Sequence, residues 1–435
     1  MMNSNTQKKD NVFFNRNFRL VFFGALVSEL GAMLYSFAVS FYILEISGNN
    51  AFLQGLYLAL CGVALLIFTP VGGVMGDRFN KAKIMYICDY LKGGTILLAT
   101  VLMIMLQEPK AQLTILFVLG ILGNAVSGVF TPAAGALFPH IVEKDKLQQA
   151  NAYFTMKSSL ESIFGIIIAG VLYTVMSIHT LFFMIGICFI ASGVSEMLIR
   201  YEHFAPQEQL TLKLAIRDMT DGIKYLKTKK AILSLMVAVL FINFFFSPVT
   251  GNFLPFFIKT NLTDAPSYLL DEVLTPELWS SVFSVCYGVT ALLGAAILSA
   301  QVQEEKCGFK TAVRLCVTAA VMIVLTFCYW LFVSRGVSLN GFLITFCMVF
   351  LVMGVLISYI NIPISTAIMR IIEKDKLSKV NSIIKIGSQG MIPIASVIAG
   401  VILKTLGSTT LLVFSSLGFT VTALLLLFNR RIKEL

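Results

Sequence analysis

Twelve apolar runs, each long enough to cross a bilayer, alternate with short polar intervals along this chain. They cover roughly 18–44, 51–75, 84–106, 112–138, 152–176, 180–200, 231–258, 278–300, 312–334, 340–368, 381–404 and 409–428. A membrane-crossing helix needs about 20 such residues. Hydrocarbon offers the backbone no hydrogen-bond partner, so each run predicts a helix. The first run is too long for a signal peptide and has no small-residue cleavage site, so it reads as a span. The predicted fold class is an all-α membrane protein of twelve transmembrane helices.

Composition agrees: 57% of the 435 residues are hydrophobic and 13% charged, against roughly 45–50% and about 25% in soluble domains. The cations then orient the chain. Lys8, Lys9 and Arg16 precede span 1 and Arg19 stands at its edge, Arg78, Lys81 and Lys83 follow span 2, and Lys144 and Lys146 follow span 4. Six more lie between Lys213 and Lys230, whereas the opposite side holds only Lys110, Lys259, Arg335 and Lys404. By the positive-inside rule both termini are cytoplasmic and the protein is a multi-pass protein of the cell membrane. The net charge of +10 is thereby assigned to topology and to contact with anionic membrane lipids. It is not assigned to nucleic acid, for which no motif is present.

Chemistry of other kinds finds little support. The eight cysteines form no C-x-x-C pair, and His140, His179 and His203 sit at helix ends or in loops. No disulfide, metal site or cofactor is therefore expected. There is no phosphate-binding loop, and no nucleophile, base and orienting group fall together, so the chain does not read as an enzyme.

One charged phrase is written twice. Residues 141–151, IVEKDKLQQAN, return at 371–381 as IIEKDKLSKVN, and the likeness at this offset of 230 continues to residues 172 and 402. The first copy joins spans 4 and 5, the second spans 10 and 11. The chain is thus a tandem duplication. A cytoplasmic tail (1–17) precedes a six-helix bundle (18–200), a linker (201–230), a second bundle (231–428) and a short tail (429–435). In the linker, Leu212, Ile216, Met219, Ile223 and Leu226 recur at helical spacing among lysines and arginine, which predicts an amphipathic helix on the inner membrane face.

A second phrase, GVMGDRFNKAK at 73–83, follows span 2. It resembles the signature of the major facilitator superfamily, G-x-x-x-D-R-x-G-x-basic-basic, through Gly73, Asp77, Arg78, Lys81 and Lys83. Asn80 stands where the signature has its second glycine, and is expected to tolerate the left-handed backbone there. Ala82 replaces one basic residue. A degraded copy, with Glu305, Lys306, Gly308 and Lys310, follows span 8. Within the superfamily the chain resembles the group of macrolide exporters and the enterobactin exporter. That likeness rests on Phe18-Arg19-Leu20, Ser28-Glu29-Leu30-Gly31, Pro132-Ala133, Leu137-Phe138-Pro139 and Ala150-Asn151. The antiporter motif resembling G-P-x-x-G-G is incomplete, since residues 165–170 read GIIIAG without the proline.

The resemblance implies two bundles that rock about a central site. It also implies a conformational latch in which Asp77 faces the N-terminal end of helix 11, here Asn381-Ser382. A carboxylate at a helix N-terminus is favoured by about 0.3–1 kcal/mol. Asp89, near the inner end of span 3 with Lys92 on the same face, is expected to tie to this loop.

Coupling to protons needs a carboxylate within the membrane. The acids inside spans are Glu29, Asp89, Glu161 and Glu196. From Arg19 to Glu29 the helix climbs about 15 Å, half of a roughly 30 Å core. The resemblance places helix 1 on the central cavity. Glu29 is accordingly the first choice for coupling or cation recognition, with a structural hydrogen bond as the other reading. Glu161 is equally deep but lies one turn beyond Lys157, which predicts an i,i+4 ion pair. Glu196 reads as a solvated rim residue.

For the substrate, the cavity helices offer Asn124, Asn243, Asn252, Tyr359 and Asn361, with Phe244, Phe245, Phe253 and Phe256 around helix 7. These phenylalanines form either an apolar wall or ordinary contacts with lipid and neighbouring helices. No arginine lies in the cavity helices, which disfavours organic anions. The expected activity is secondary export of hydrophobic or amphipathic small molecules by proton antiport, by a protein that works as a monomer. Export of an endogenous metabolite such as a siderophore is the alternative within transport, and a non-transporting receptor or scaffold the alternative outside it.

Overall fold

A computed structural model describes residues 12–143, 146–200, 220, 224–226, 228–263, 265–299, 307–372, 387 and 389–429. Among these residues every regular element is a helix. Eleven helices are long and apolar enough to cross a membrane, and Ile392–Thr405 is a shorter apolar helix within the run expected at 381–404. Spans 1 to 4 are Arg16–Ile46, Ala51–Arg78, Lys81–Met105 and Pro109–Ile141. Span 5 is an α-helix at Leu147–Leu160, a π-helical turn at Glu161–Gly165 and an α-helix at Ile166–Val175. Span 6 is Ile178–Met197. Span 7, Lys230–Leu262, contains two further π-helical turns, Val249–Phe253 and Ile258–Leu262. Spans 8, 9, 10 and 12 are Leu278–Ser299, Cys307–Arg335, Leu339–Ile371 and Ser408–Phe428.

The described chain falls into two compact units. The first is 1–39 with 63–215, the second 40–62 with 216–435. The grouping differs from a division at the linker, because the end of span 1 and the start of span 2 pack within the second unit. Small residues make this packing close: a Cβ on Gly55 would overlap the Ser396 carbonyl, and one on Gly400 would come within 2.7 Å of the Ala51 carbonyl oxygen. Lys259 bridges the same region, its Nζ 3.2 Å from Glu45 Oε2 and 3.0 Å from Glu277 Oε1.

Within each unit the duplication is visible as packing. Span 3 lies against spans 4 and 6 in the first unit, and span 9 against spans 10 and 12 in the second. Lipid tails give helices no hydrophobic reason to associate, so close backbone approach through small residues carries much of this contact. Gly93 and Gly186 face one another between spans 3 and 6, where a Cβ on Gly93 would sit 2.9 Å from the Gly186 carbonyl oxygen. In the first unit, Phe18, Phe22, Met85, Leu137 and Ile141 form a core at the end where span 1 begins. In the second, Phe253, Phe257, Phe283, Tyr329, Phe342 and Phe346 stack edge to face.

Two sequence expectations change here. Asn80 does not adopt a left-handed backbone: at φ −60° and ψ 113° it is the N-cap of span 3, its side chain accepting from Lys83 N. Asparagine is favoured there for its side-chain acceptor, not for its tolerance of positive φ. Phe253 is fully buried among aromatic rings, so it is core and no cavity wall. The amphipathic helix of the linker lies largely outside the described residues, although Leu226, its last apolar position, is buried in the core of the second unit.

Candidate functional site

The three charged side chains expected near the middle of the first bundle come together. Lys157 and Glu161 lie one turn apart on span 5, so their side chains share a face. Lys157 Nζ is 3.3 Å from Glu161 Oε1 and 2.8 Å from Glu29 Oε2 of span 1. The ammonium also lies 5.4 Å from the centre of the Phe154 ring. Neither approach to Lys157 Nζ is aligned as a hydrogen bond, so charge is what holds the group together. Gly165 explains how spans 1 and 5 come so near: a Cβ there would lie 2.8 Å from Met33 Sδ and 3.2 Å from Leu30 Cδ2. Glu161 opens the π-helical turn that ends at Gly165. Such turns insert one extra residue into a helix and recur at functional sites.

Exposure divides the triad. The Lys157 and Glu161 side chains are 1% and 5% exposed, that of Glu29 52%. A membrane-depth charge costs about 2.5–3.5 kcal/mol on insertion scales, and the buried lysine offsets that cost for both acids. Two carboxylates share one ammonium, so the group carries one negative charge when all three are ionised. Glu29 is the exposed member of the three.

A second group lies between spans 3 and 6. Asp89 of span 3 and Glu196 of span 6 are both fully buried. Glu196 is therefore no rim residue: its helix end is covered by span 3, through the contacts of Gly193 with Tyr90. Asp89 faces span 6, and its neighbours are Ser192 and Lys92. Of the expected latch, the side chains of Asp77 and Arg78, residues 381–382, Glu305 and Lys306 lie outside the described residues. Of the other latch residues, Lys81 is buried and Lys83 and Lys310 are exposed. Gly308 is buried, and Gly73 has open space where a Cβ would be.

The cavity residues separate. Asn243 and Asn361 line a cavity of about 170 Å³ inside the second unit, with Phe246, Tyr287, Thr318 and Met353 around it. Asn252 is fully buried and donates to the Ser396 carbonyl oxygen at 3.4 Å. Asn124 donates to Gly120 one turn back in its own helix. Tyr359 accepts at its carbonyl from Arg314 Nη1 (2.9 Å), and that guanidinium lies 5.2 Å from the centre of its ring. Arg314, at the start of span 9, is a cation that a search confined to the cavity helices does not find.

Comparison with known proteins places this architecture. The first is 24% identical over 341 residues, three-quarters of either chain (76% and 75%): the uncharacterized MFS-type transporter YkuC of Bacillus subtilis. Macrolide efflux protein A of Streptococcus pyogenes is 22% identical over 241 residues, 54% of this chain and 58% of that protein. Among solved structures, a bacterial homologue of the iron transporter ferroportin in its inward-facing state superposes with a TM-score of 0.71 at 16% identity. It covers 95% of this chain and 99% of that one, a likeness of fold. The description of the Major Facilitator Superfamily matches residues 21–391. With the duplicated bundles and the phrase at 73–83, that match over most of the chain makes this protein a member of the Major Facilitator Superfamily of membrane transporters.

Proposed function

We propose that the chain is a secondary exporter of hydrophobic or amphipathic small molecules, driven by proton antiport, with Glu29 as the carboxylate that loads and releases the proton. The observation that carries this reading is the division of the triad: Lys157 and Glu161 buried, Glu29 half-exposed on the same ammonium. An ionised Glu29 attracts Lys157, and a protonated one leaves the lysine to Glu161 alone. Proton loading thereby changes which helix the lysine holds, span 1 or its own span 5. A cationic or amphipathic ligand at Glu29 competes with the proton for the same charge, which is what antiport requires. The 22% identity to a macrolide efflux protein supports export and an amphipathic substrate. The excess of lysine and arginine on one side supports cytoplasmic termini. The second unit holds 40–62 through Lys259, Glu45 and Glu277, and rocking open to the outside would release that contact, with Asp77 closing the inside in turn.

The test uses proteoliposomes containing a pH-sensitive dye, with macrolides, dyes and siderophores added in turn to wild type and to Glu29→Gln. Proton movement evoked by a ligand in wild type and absent in the variant is the expected result. Movement that persists in Glu29→Gln removes Glu29 from coupling. A siderophore as the one active ligand turns the reading to an endogenous product.

A further inference from the structure

We propose that Asp89 and Glu196 form a second proton site, a buried carboxyl pair that holds one exchangeable proton between spans 3 and 6 beside Lys92. This goes beyond the antiport reading, which uses neither residue.

The pair is closely enclosed. Gly93, Gly186 and Gly193 bring spans 3 and 6 into backbone contact, with added Cβ atoms meeting Ile190, Leu97 and Tyr90 at 2.7–2.8 Å. Asp89 and Glu196 are each 0% exposed, and among the described residues no donor is aligned as a hydrogen bond on any of their four carboxyl oxygens. The hydroxyls nearby are committed elsewhere. Ser192 lies beside Asp89 yet donates to the Gly24 carbonyl oxygen at 2.9 Å, and Ser195 donates to that of Leu20 at 3.0 Å. Four buried oxygens without a donor are what a missing proton leaves behind, because buried acceptors are otherwise paired.

Charge leads to the same conclusion. Lys92 sits three residues from Asp89 on the same face, its ammonium 5.0 Å from the centre of the Phe189 ring and 5.3 Å from that of Phe130. The other titratable groups acting on this site are Cys88 from span 3 and, at longer range on Lys92, Glu29 from span 1; span 4 presents the Phe130 face. With both acids ionised, two negative charges share one lysine in a closely packed, buried interface. One proton on either carboxyl brings the group to neutrality. A metal cation fits poorly: it would seek six or more oxygens beside a lysine that repels it, and the remaining walls are aromatic.

The experiment is infrared difference spectroscopy on the purified full chain in detergent, between acid and alkaline buffer, in water and in deuterium oxide. The carbonyl stretch of a protonated carboxylic acid is expected in wild type at neutral pH, shifted by deuterium and lost in alkali. It is expected to persist in Glu29→Gln and to vanish in Glu196→Gln and in Asp89→Asn, because the remaining carboxylate then pairs with Lys92 and needs no proton. Melting temperatures follow the same charge count. Each single variant is expected within about 2–4 °C of wild type, the span of a small stability change. The double variant, which leaves Lys92 without a counter-charge, is expected to melt well below both. A band unchanged in both single variants overturns the proposal, as does a double variant no less stable than the singles. A band that appears only when choline replaces sodium overturns the proton in favour of a monovalent cation. No substrate or transport enters these readouts, so failed antiport leaves the site standing, and a missing band leaves the Glu29 test intact.

Discussion

Lys157→Met is expected to destabilise the protein by about 3–5 kcal/mol, the usual cost of removing one partner of a buried ion pair, and to abolish transport. The methionine fills the space of the lysine stem but leaves Glu161, 5% exposed, with no counter-charge. Glu29, half-exposed, can turn to water and contributes little to the deficit. The loss should therefore be repaired in large part by adding Glu161→Gln and hardly at all by adding Glu29→Gln. Acidity should act in the same direction as the repair. An unpaired buried carboxyl is favoured when protonated, so the variant's deficit relative to wild type shrinks as pH falls and grows as pH rises. Thermal unfolding of the purified protein in detergent, run as a series in pH, reads all three effects. Equal melting of Lys157→Met and wild type at every pH would remove the triad from the account of stability. Rescue by Glu29→Gln in place of Glu161→Gln would mean that Glu29 is the buried partner in the membrane.

The parts of this protein that were legible in its sequence are those that the bilayer dictates residue by residue. Apolar runs became helices because lipid leaves the backbone no other partner, and the duplicated phrase announced two related bundles before any packing was known. The pair Lys157–Glu161 was equally legible, since i,i+4 spacing on one helix needs no tertiary information. Its completion by Glu29 was not, because that depends on how near span 5 comes to span 1, which Gly165 and a π-helical turn decide. Glu196 was misplaced for a similar reason. Its position near a helix end suggested water, but the glycines of spans 3 and 6 close over it. Asn80 was assigned through a signature glycine, whereas its short side chain caps the helix that follows. Asn252 looked like a cavity residue on a regular helix and is turned into the core within a π-helical turn of span 7. For Glu29, Glu196 and Asn252 the missing knowledge was helix-to-helix distance or helical register, which one sequence does not carry.

Gly354→Ala carries the other large effect, because it tests helix-to-helix distance directly. Gly354 of span 10 faces span 8, and an added Cβ would overlap Thr290 Oγ1 and the Tyr287 carbonyl oxygen and lie 3.0 Å from Ala291 N. The Thr290 side chain can swing away, but the backbone atoms of Tyr287 and Ala291 cannot move without their helix. The two spans must part, stretching the 2.6 Å bond from Ser358 Oγ to the Ala291 carbonyl oxygen. Overpacking of this kind costs about 1–3 kcal/mol, and Gly354→Val should cost more than Gly354→Ala. Gly123→Ala is the control: no atom stands within 4 Å of its Cβ, so only helix propensity remains, a gain of up to about 1 kcal/mol. Opposite shifts in the melting temperatures of the two alanine variants are expected, and a gain at both positions would mean that spans 8 and 10 stand farther apart than described. The displacement also has a functional side. Tyr287 and Met353, on either side of this contact, line the cavity that holds Asn243 and Asn361. If that cavity takes part in recognition, Gly354→Ala that still folds will weaken the apparent affinity for the transported compound, while Gly123→Ala leaves it unchanged.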